Sequence, residues 1–171
     1  YWLALMNGFG LDEQRDPLLD AVMETSIDGI LVIDNNREYV TWNQQFADMW
    51  GVPDELLEQK DEEPALEWAL SQLENPDEFI QKVEYLYENP YEESRDQIRL
   101  KDGRIFDRYS SPVVGEDGTH YGRVWFFRDI TDLKEHERAL REERDKYQTL
   151  IEESNDCIAI HQDGKFVFVN E

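Results

Sequence analysis

A single cysteine, Cys157, stands among 171 residues, so no intramolecular disulfide and no thiolate-bound metal cluster can form within the chain. A reducing compartment fits this, and a cytoplasmic location is the expectation. Basic residues are scarce: 17 Lys and Arg face 40 Asp and Glu, leaving a net charge of −23. The average field repels phosphate polyanions and acidic headgroups, which argues against nucleic acid as a partner and against adsorption to acidic membranes. No apolar run approaches the roughly 18 residues that span a bilayer, and Tyr1 to Met6 is short and lacks the basic flank of a signal peptide. Gly-rich phosphate loops, nucleophile elbows and kinase ATP motifs are missing, so catalysis is not expected of this chain.

What is present suits a packed core. Hydrophobic residues make up 40% and aromatics 12%, more than a disordered acidic tail carries. The acidic composition, with 11 Arg to 6 Lys, fits a protein working in concentrated salt and equally an acidic bacterial signalling protein. The length allows one full domain and part of another.

Leu18 to Ser26 reads as a short helix preceded by Pro17. Gly29 to Asp34 and Glu38 to Trp42 are β-rich runs joined by the Asn35-Asn36 turn, and Asn43 stands as the N-cap of a helix that ends at Gly51. Residues 53–92 are helical in pattern; the best-marked helix starts at Asn75-Pro76, with Phe79, Ile80, Val83, Leu86 and Tyr87 at helical spacing. Three β-like runs follow at Asp96–Leu100, Ile105–Val113 and Tyr121–Ile130, separated by Asp102-Gly103 and by Gly115 to Gly118. This order predicts an α+β domain with helices on one face of an antiparallel sheet.

From Thr131 to about Glu153 the chain reads as one charged helix. Ile130, Leu133, Glu137, Leu140, Arg144, Tyr147 and Ile151 repeat as a heptad seam with two charged members, which predicts a weak coiled coil. Residues 24–33 and 39–43 then recur as 152–161 and 166–170, with Glu24/Glu152, Ser26/Ser154, Asp28/Asp156, Ile30/Ile158 and Asn43/Asn170 coinciding. A lone hairpin is marginal in water, so the chain reads as part of a longer protein.

These stretches resemble the PAS domain family of sensory modules. The resemblance rests on S-I-D-G-I-L-V-I-D (26–34), W-N-Q-Q-F (42–46), W-G-V-P (50–53), K-D-G-R-I-F-D-R-Y-S (101–110) and, most specific, G-R-V-W-F-F-R-D-I-T (122–131). It implies a five-stranded antiparallel sheet with helices on one face, followed by a long exit helix. The implied organisation is an N-terminal extension (1–16), a PAS domain (17–131), a signalling helix (132–150) and the start of a second PAS repeat (151–171). Family members commonly sit upstream of histidine kinase, cyclic-dinucleotide or chemotaxis output domains and often dimerise. By resemblance Asp129, Ile130 and Thr131 form the relay from last strand to exit helix, through which a homodimer would form.

The same resemblance sets expectations for cofactors. Flavin photochemistry of the family's usual kind needs a cysteine after the second strand, where there is none. Haem-binding members commonly use a histidine on the long helix, whereas the histidines here are His120, His136 and His161; ligation by Met or Tyr stays open. No cofactor is therefore expected. Scattered histidines also lack a metal-ligand spacing. His136 lacks the proline context of a phosphoacceptor and reads as an exposed helix residue.

A pocket remains. Strand alternation groups Arg123, Trp125, Phe127 and Asp129 on one side of the last strand, opposite Val124, Phe126 and Arg128. With Phe46, Phe79, Arg108 and Tyr109, residues Trp125 and Phe127 are the expected lining for a small ligand, an arginine suiting a carboxylate or phosphate. Two readings follow: a sensory module that relays ligand or partner binding to an output domain such as a histidine kinase, or a constitutive dimerisation spacer without ligand.

Overall fold

The computed structural model describes residues 17–57, 63–153, 159–162 and 165–169. The N-terminal extension, Cys157 and the repeat positions Ser154, Asp156, Ile158 and Asn170 lie outside them. The chain divides into two compact units, one ending at Thr131 and the other beginning at Asp132.

In the first unit, α1 (Pro17–Glu24) precedes the hairpin β1 (Gly29–Asp34) and β2 (Tyr39–Trp42). Then come α2 (Gln44–Trp50), α3 (Asp54–Leu57), α4 (Glu63–Gln72) and α5 (Pro76–Glu88). Strands β3 (Ser94–Arg99), β4 (Ile105–Val114) and β5 (His120–Asp129) complete a sheet of order β2-β1-β5-β4-β3. All neighbours are antiparallel, so the five-stranded α+β expectation is met. β5 is central, pairing Leu31 with Trp125 on one side and Ser110 with Trp125 on the other.

Period-2 patterning decides the faces. Along β5, Arg123, Trp125 and Phe127 are buried while Val124 and Phe126 are half-buried; along β4, Phe106, Arg108 and Ser110 are buried. The inner face packs on Phe46, Met49 and Trp50 of α2 and on Phe79, Val83 and Leu86 of α5. Trp50 meets Phe79, Phe106 and Phe127 edge-on, with ring centroids 5.3 to 6.3 Å apart. Such contacts combine large buried area with favourable quadrupole geometry.

Asn43 does more than cap α2. Fully buried, its Oδ1 accepts from the amides of Phe46 (3.0 Å) and Ile30 (2.8 Å), while Nδ2 donates to the carbonyls of Met23 (3.0 Å) and Asp28 (2.9 Å). One side chain thus ties α1, the start of β1 and α2 together. At the other end of α2, Gly51 takes the left-handed conformation (φ 56°) that closes the helix at little steric cost.

Between α4 and α5, Leu73 bridges to Leu100 of the sheet and Pro76 starts the next helix, as the Asn75-Pro76 pair predicts. One detail differs from expectation. Asn75 offers α5 no side-chain cap; the start rests on the proline and on Asp77 and Glu78 in the first turn.

The second unit holds α6 (Thr131–Glu152), whose first residue closes the first unit, and a hairpin of β6 (Ala159–Gln162) and β7 (Lys165–Val169). Its register repeats that of the first hairpin. Leu31↔Trp42, Val32↔Thr41 and Ile33↔Tyr39 correspond to Ala159↔Val169, Ile160↔Phe168 and His161↔Phe166, and both ladders skip one valine, Val40 or Val167. A bulge re-aims a strand and belongs to its fold, so sharing it ties the two hairpins more closely than composition does.

Candidate functional site

Between the inner sheet face and the helices lies an apolar cavity of about 50 Å³, lined in part by Phe46, Trp50, Phe79, Val83, Trp125 and Phe127. Four of the expected ligand residues, Phe46, Phe79, Trp125 and Phe127, are brought together here. The space admits only a few atoms, well below the ~300 Å³ at which small-molecule sites usually begin.

Arg108 is adjacent rather than lining. Its guanidinium lies 4.2 Å from the Phe79 ring centre and 5.4 Å from that of Trp125, so rings that line the cavity also cover the cation. Nε and Nη2 donate to both oxygens of Asp96 at 2.9 and 2.6 Å, a bidentate pair across β3 and β4. Nη1 is buried and has no partner among the described residues, and neither has the buried Trp50 Nε1. A buried donor without an acceptor costs about 1–3 kcal/mol.

Tyr109 corrects the expected lining. It stacks on Phe126 at 6.0 Å, on the face of the sheet away from the cavity. The reason is alternation: neighbours on one strand point to opposite faces, so Arg108 and Tyr109 cannot share a wall.

Arg123, which alternation places on the Trp125 side, is committed to structure. Its Nη1 donates to Ser110 Oγ at 3.0 Å, and Nη2 reaches the carbonyls of Leu86 (3.3 Å), Pro90 (3.0 Å) and Glu92 (2.9 Å). It pins the chain leaving α5 to the centre of the sheet. Burial lowers its pKa from the ordinary value, opposed by the charges of Tyr87 and Glu92. No sequence signal marked those carbonyl partners, which lie 31 to 37 residues away.

The expected relay residues meet at the exit from β5. Ile130, buried, donates its amide to the Ile105 carbonyl at 2.9 Å, and the Ile105 amide donates to Thr131 Oγ1 at 3.0 Å. The Asp129 carboxylate accepts from both the amide (2.9 Å) and the hydroxyl (2.5 Å) of Thr131. Asp129 therefore orients Thr131, and Thr131 grips the first residue of β4. Ile130 precedes α6, and its burial takes it out of the exposed seam on which Leu133, Leu140 and Tyr147 stand. His136 is exposed on α6, and no described helix is long and apolar enough to cross a membrane. No group of three or more His, Cys, Asp or Glu that could hold a metal occurs among the described residues.

Comparison with known proteins agrees with this architecture. The sequence profile of the PAS domain family matches residues 18–85. The PAS domain of Bordetella pertussis BvgS is 17% identical, with a TM-score of 0.54 over 75% of this chain and 96% of that one. An RNA-binding light-oxygen-voltage receptor is 18% identical, with a TM-score of 0.55 over 75% of this chain and 36% of the receptor. The sensor region of a sensor histidine kinase is 14% identical, with a TM-score of 0.50 over 63% of this chain and 40% of the other. At these identities the common property is the fold. None of the curated proteins compared matches the chain. The profile match over residues 18–85 and the shared five-stranded fold agree: the first unit has a PAS-like fold.

Proposed function

We propose that this chain is a non-catalytic sensory module in which the state of the PAS core is handed to α6 and onward to an output domain, such as a histidine kinase. The observation that carries this reading is the pair of bonds at Ile105, one from Ile130 and one to Thr131, braced by Asp129. Any change in the spacing of β4 and β5 must move the first residue of α6. The unpartnered Trp50 and Arg108 donors beside the cavity support a small ligand with hydrogen-bond acceptors and a compact apolar body. Binding would require the cavity to widen, and that widening is the strain the relay would read. The exposed apolar seam of α6 supports a homodimer through this helix, and the repeated bulge supports a second PAS repeat from residue 151.

The small cavity favours a second reading, a dimerisation spacer with no ligand. Native mass spectrometry of gently purified protein separates the two, since a reproducible bound small molecule supports sensing. The relay is tested in the full-length protein by Asp129→Ala. Folding should persist at a cost of about 1 kcal/mol, while the output ceases to follow the stimulus. An unchanged stimulus response overturns the relay.

A further inference from the structure

Away from the apolar cavity, a cleft of about 380 Å³ opens where the β1–β2 turn, the end of α5 and the start of β5 meet. Its size falls in the range of small-molecule sites. Asn35, Arg37, Tyr87, Tyr91, His120 and Arg123 are among its lining, and no carboxylate is among the lining residues. In a chain of net charge −23, the wall of this cleft carries two arginines and no acid, and the nearest charge acting on Arg123 from outside it is that of Glu92.

The cations there are not neutralised by ion pairs. Arg123 bonds a hydroxyl and three backbone carbonyls. Arg37 makes no ion pair with a described residue, and its guanidinium lies 4.4 Å from the centre of the Tyr87 ring. Its backbone has φ 65°, a left-handed conformation that usually suits glycine or asparagine. Nearby Asp34 accepts instead from the amides of Asn36 (2.8 Å) and Glu38 (2.9 Å).

His120 supplies a second, independent observation. Asn35 Nδ2 donates to the His120 carbonyl at 2.8 Å, and Asn35 Oδ1 stands 2.7 Å from His120 Nδ1. The carboxamide oxygen can only accept, so Nδ1 carries a proton, and in the Nδ1–H tautomer Nε2 is the acceptor. That Nε2 is buried and without a partner among the described residues. Tyr91, 63% exposed, meets the imidazole edge-on at 5.4 Å.

We infer that this cleft binds a small aromatic hydroxy acid, its carboxylate held by Arg37 in the positive field of Arg123 and its hydroxyl donating to His120 Nε2. Tyr87 and Tyr91 supply the flat surfaces for the ring. This site is separate from the cavity of the PAS core and does not rest on the sensory reading.

Calorimetric titration of the chain with 4-hydroxybenzoate tests the inference, with amide NMR shifts to locate the binding. Saturable binding with shifts at His120 and Gly122 is expected. 4-Hydroxybenzyl alcohol, which lacks the carboxylate, should bind about tenfold more weakly or worse, and benzoate, which lacks the hydroxyl, about threefold more weakly. Arg37→Gln, a change at an exposed turn residue, should erase the discrimination between acid and alcohol. Any of four results overturns the inference: no binding, equal affinity for acid and alcohol, unchanged discrimination in Arg37→Gln, or shifts centred on Trp50 and Val83.

Discussion

The two hollows of the first unit are built from opposite materials. The cavity of about 50 Å³ is walled by side chains from the hydrophobic core, so its shape is set by packing and changes only if the core moves. The cleft of about 380 Å³ has a floor of backbone, where Gly122 passes close to Ile33, and a rim of polar and aromatic side chains that includes Asn35 and Arg37 of the β1–β2 turn. Changing the wall of the first should therefore change stability, whereas changing the rim of the second should leave stability nearly untouched. Volume alone would rank the two sites without revealing this difference in stiffness.

The strongest test of the contrast is Phe79→Ala. It should cost about 3–5 kcal/mol in urea unfolding, because it removes an aromatic wall of the cavity and the cover of Arg108. If the variant folds, its enlarged apolar space should take up benzene. Gly122→Ala attacks the cleft where the contrast predicts weakness in the rim but not in the floor. A Cβ there would lie 2.1 Å from the Ile33 carbonyl oxygen, at a backbone φ of 150°. A loss of about 3 kcal/mol is expected, and a change near zero would mean that β1 and β5 can part locally.

Asp96→Asn leaves the Arg108 guanidinium without its carboxylate and should cost about 1–3 kcal/mol, less than for a fully buried pair because Asp96 is 34% exposed. Adding Arg108→Met should recover part of that loss; a further loss in the double variant would show that the ion pair is favourable beyond its desolvation. Arg37→Gln, on the rim, should stay within about 0.5 kcal/mol of the parent in the same measurement. A larger effect would place Arg37 in the structure rather than in the site.

The smallest effect lies at the β4–β5 turn, outside both hollows. Hydrogen bonds from the Thr119 amide and hydroxyl lower the Asp117 pKa from its ordinary 3.8. The charged form is the one favoured by folding, so this stabilisation is complete above 3.8 and is lost as the pH falls through the lower folded value. Asp117→Asn should flatten that part of the acid-unfolding curve.

The strands and the inner set Arg123, Trp125 and Phe127 were legible because a period of two and Asp-Gly turns leave a local trace. The same alternation puts Arg108 and Tyr109 on opposite faces, so the two cannot line one pocket. Asn43 was legible as a cap, since its bond to Phe46 spans three residues, but its bonds to Met23 and Ile30 were not.

By itself the sequence determined the order of elements, the buried stripe of each strand and the motif at the exit from β5, since each depends on neighbours within a turn or a strand. Only the tertiary structure decided that Ile105 would bond both Ile130 and Thr131, that Leu73 would pair with Leu100, and that residues from 35, 91 and 123 would share one cleft. Those contacts join chain segments 25 or more residues apart, and pairing at that distance is selected by the burial and hydrogen bonding of the whole sheet, not by any local pattern.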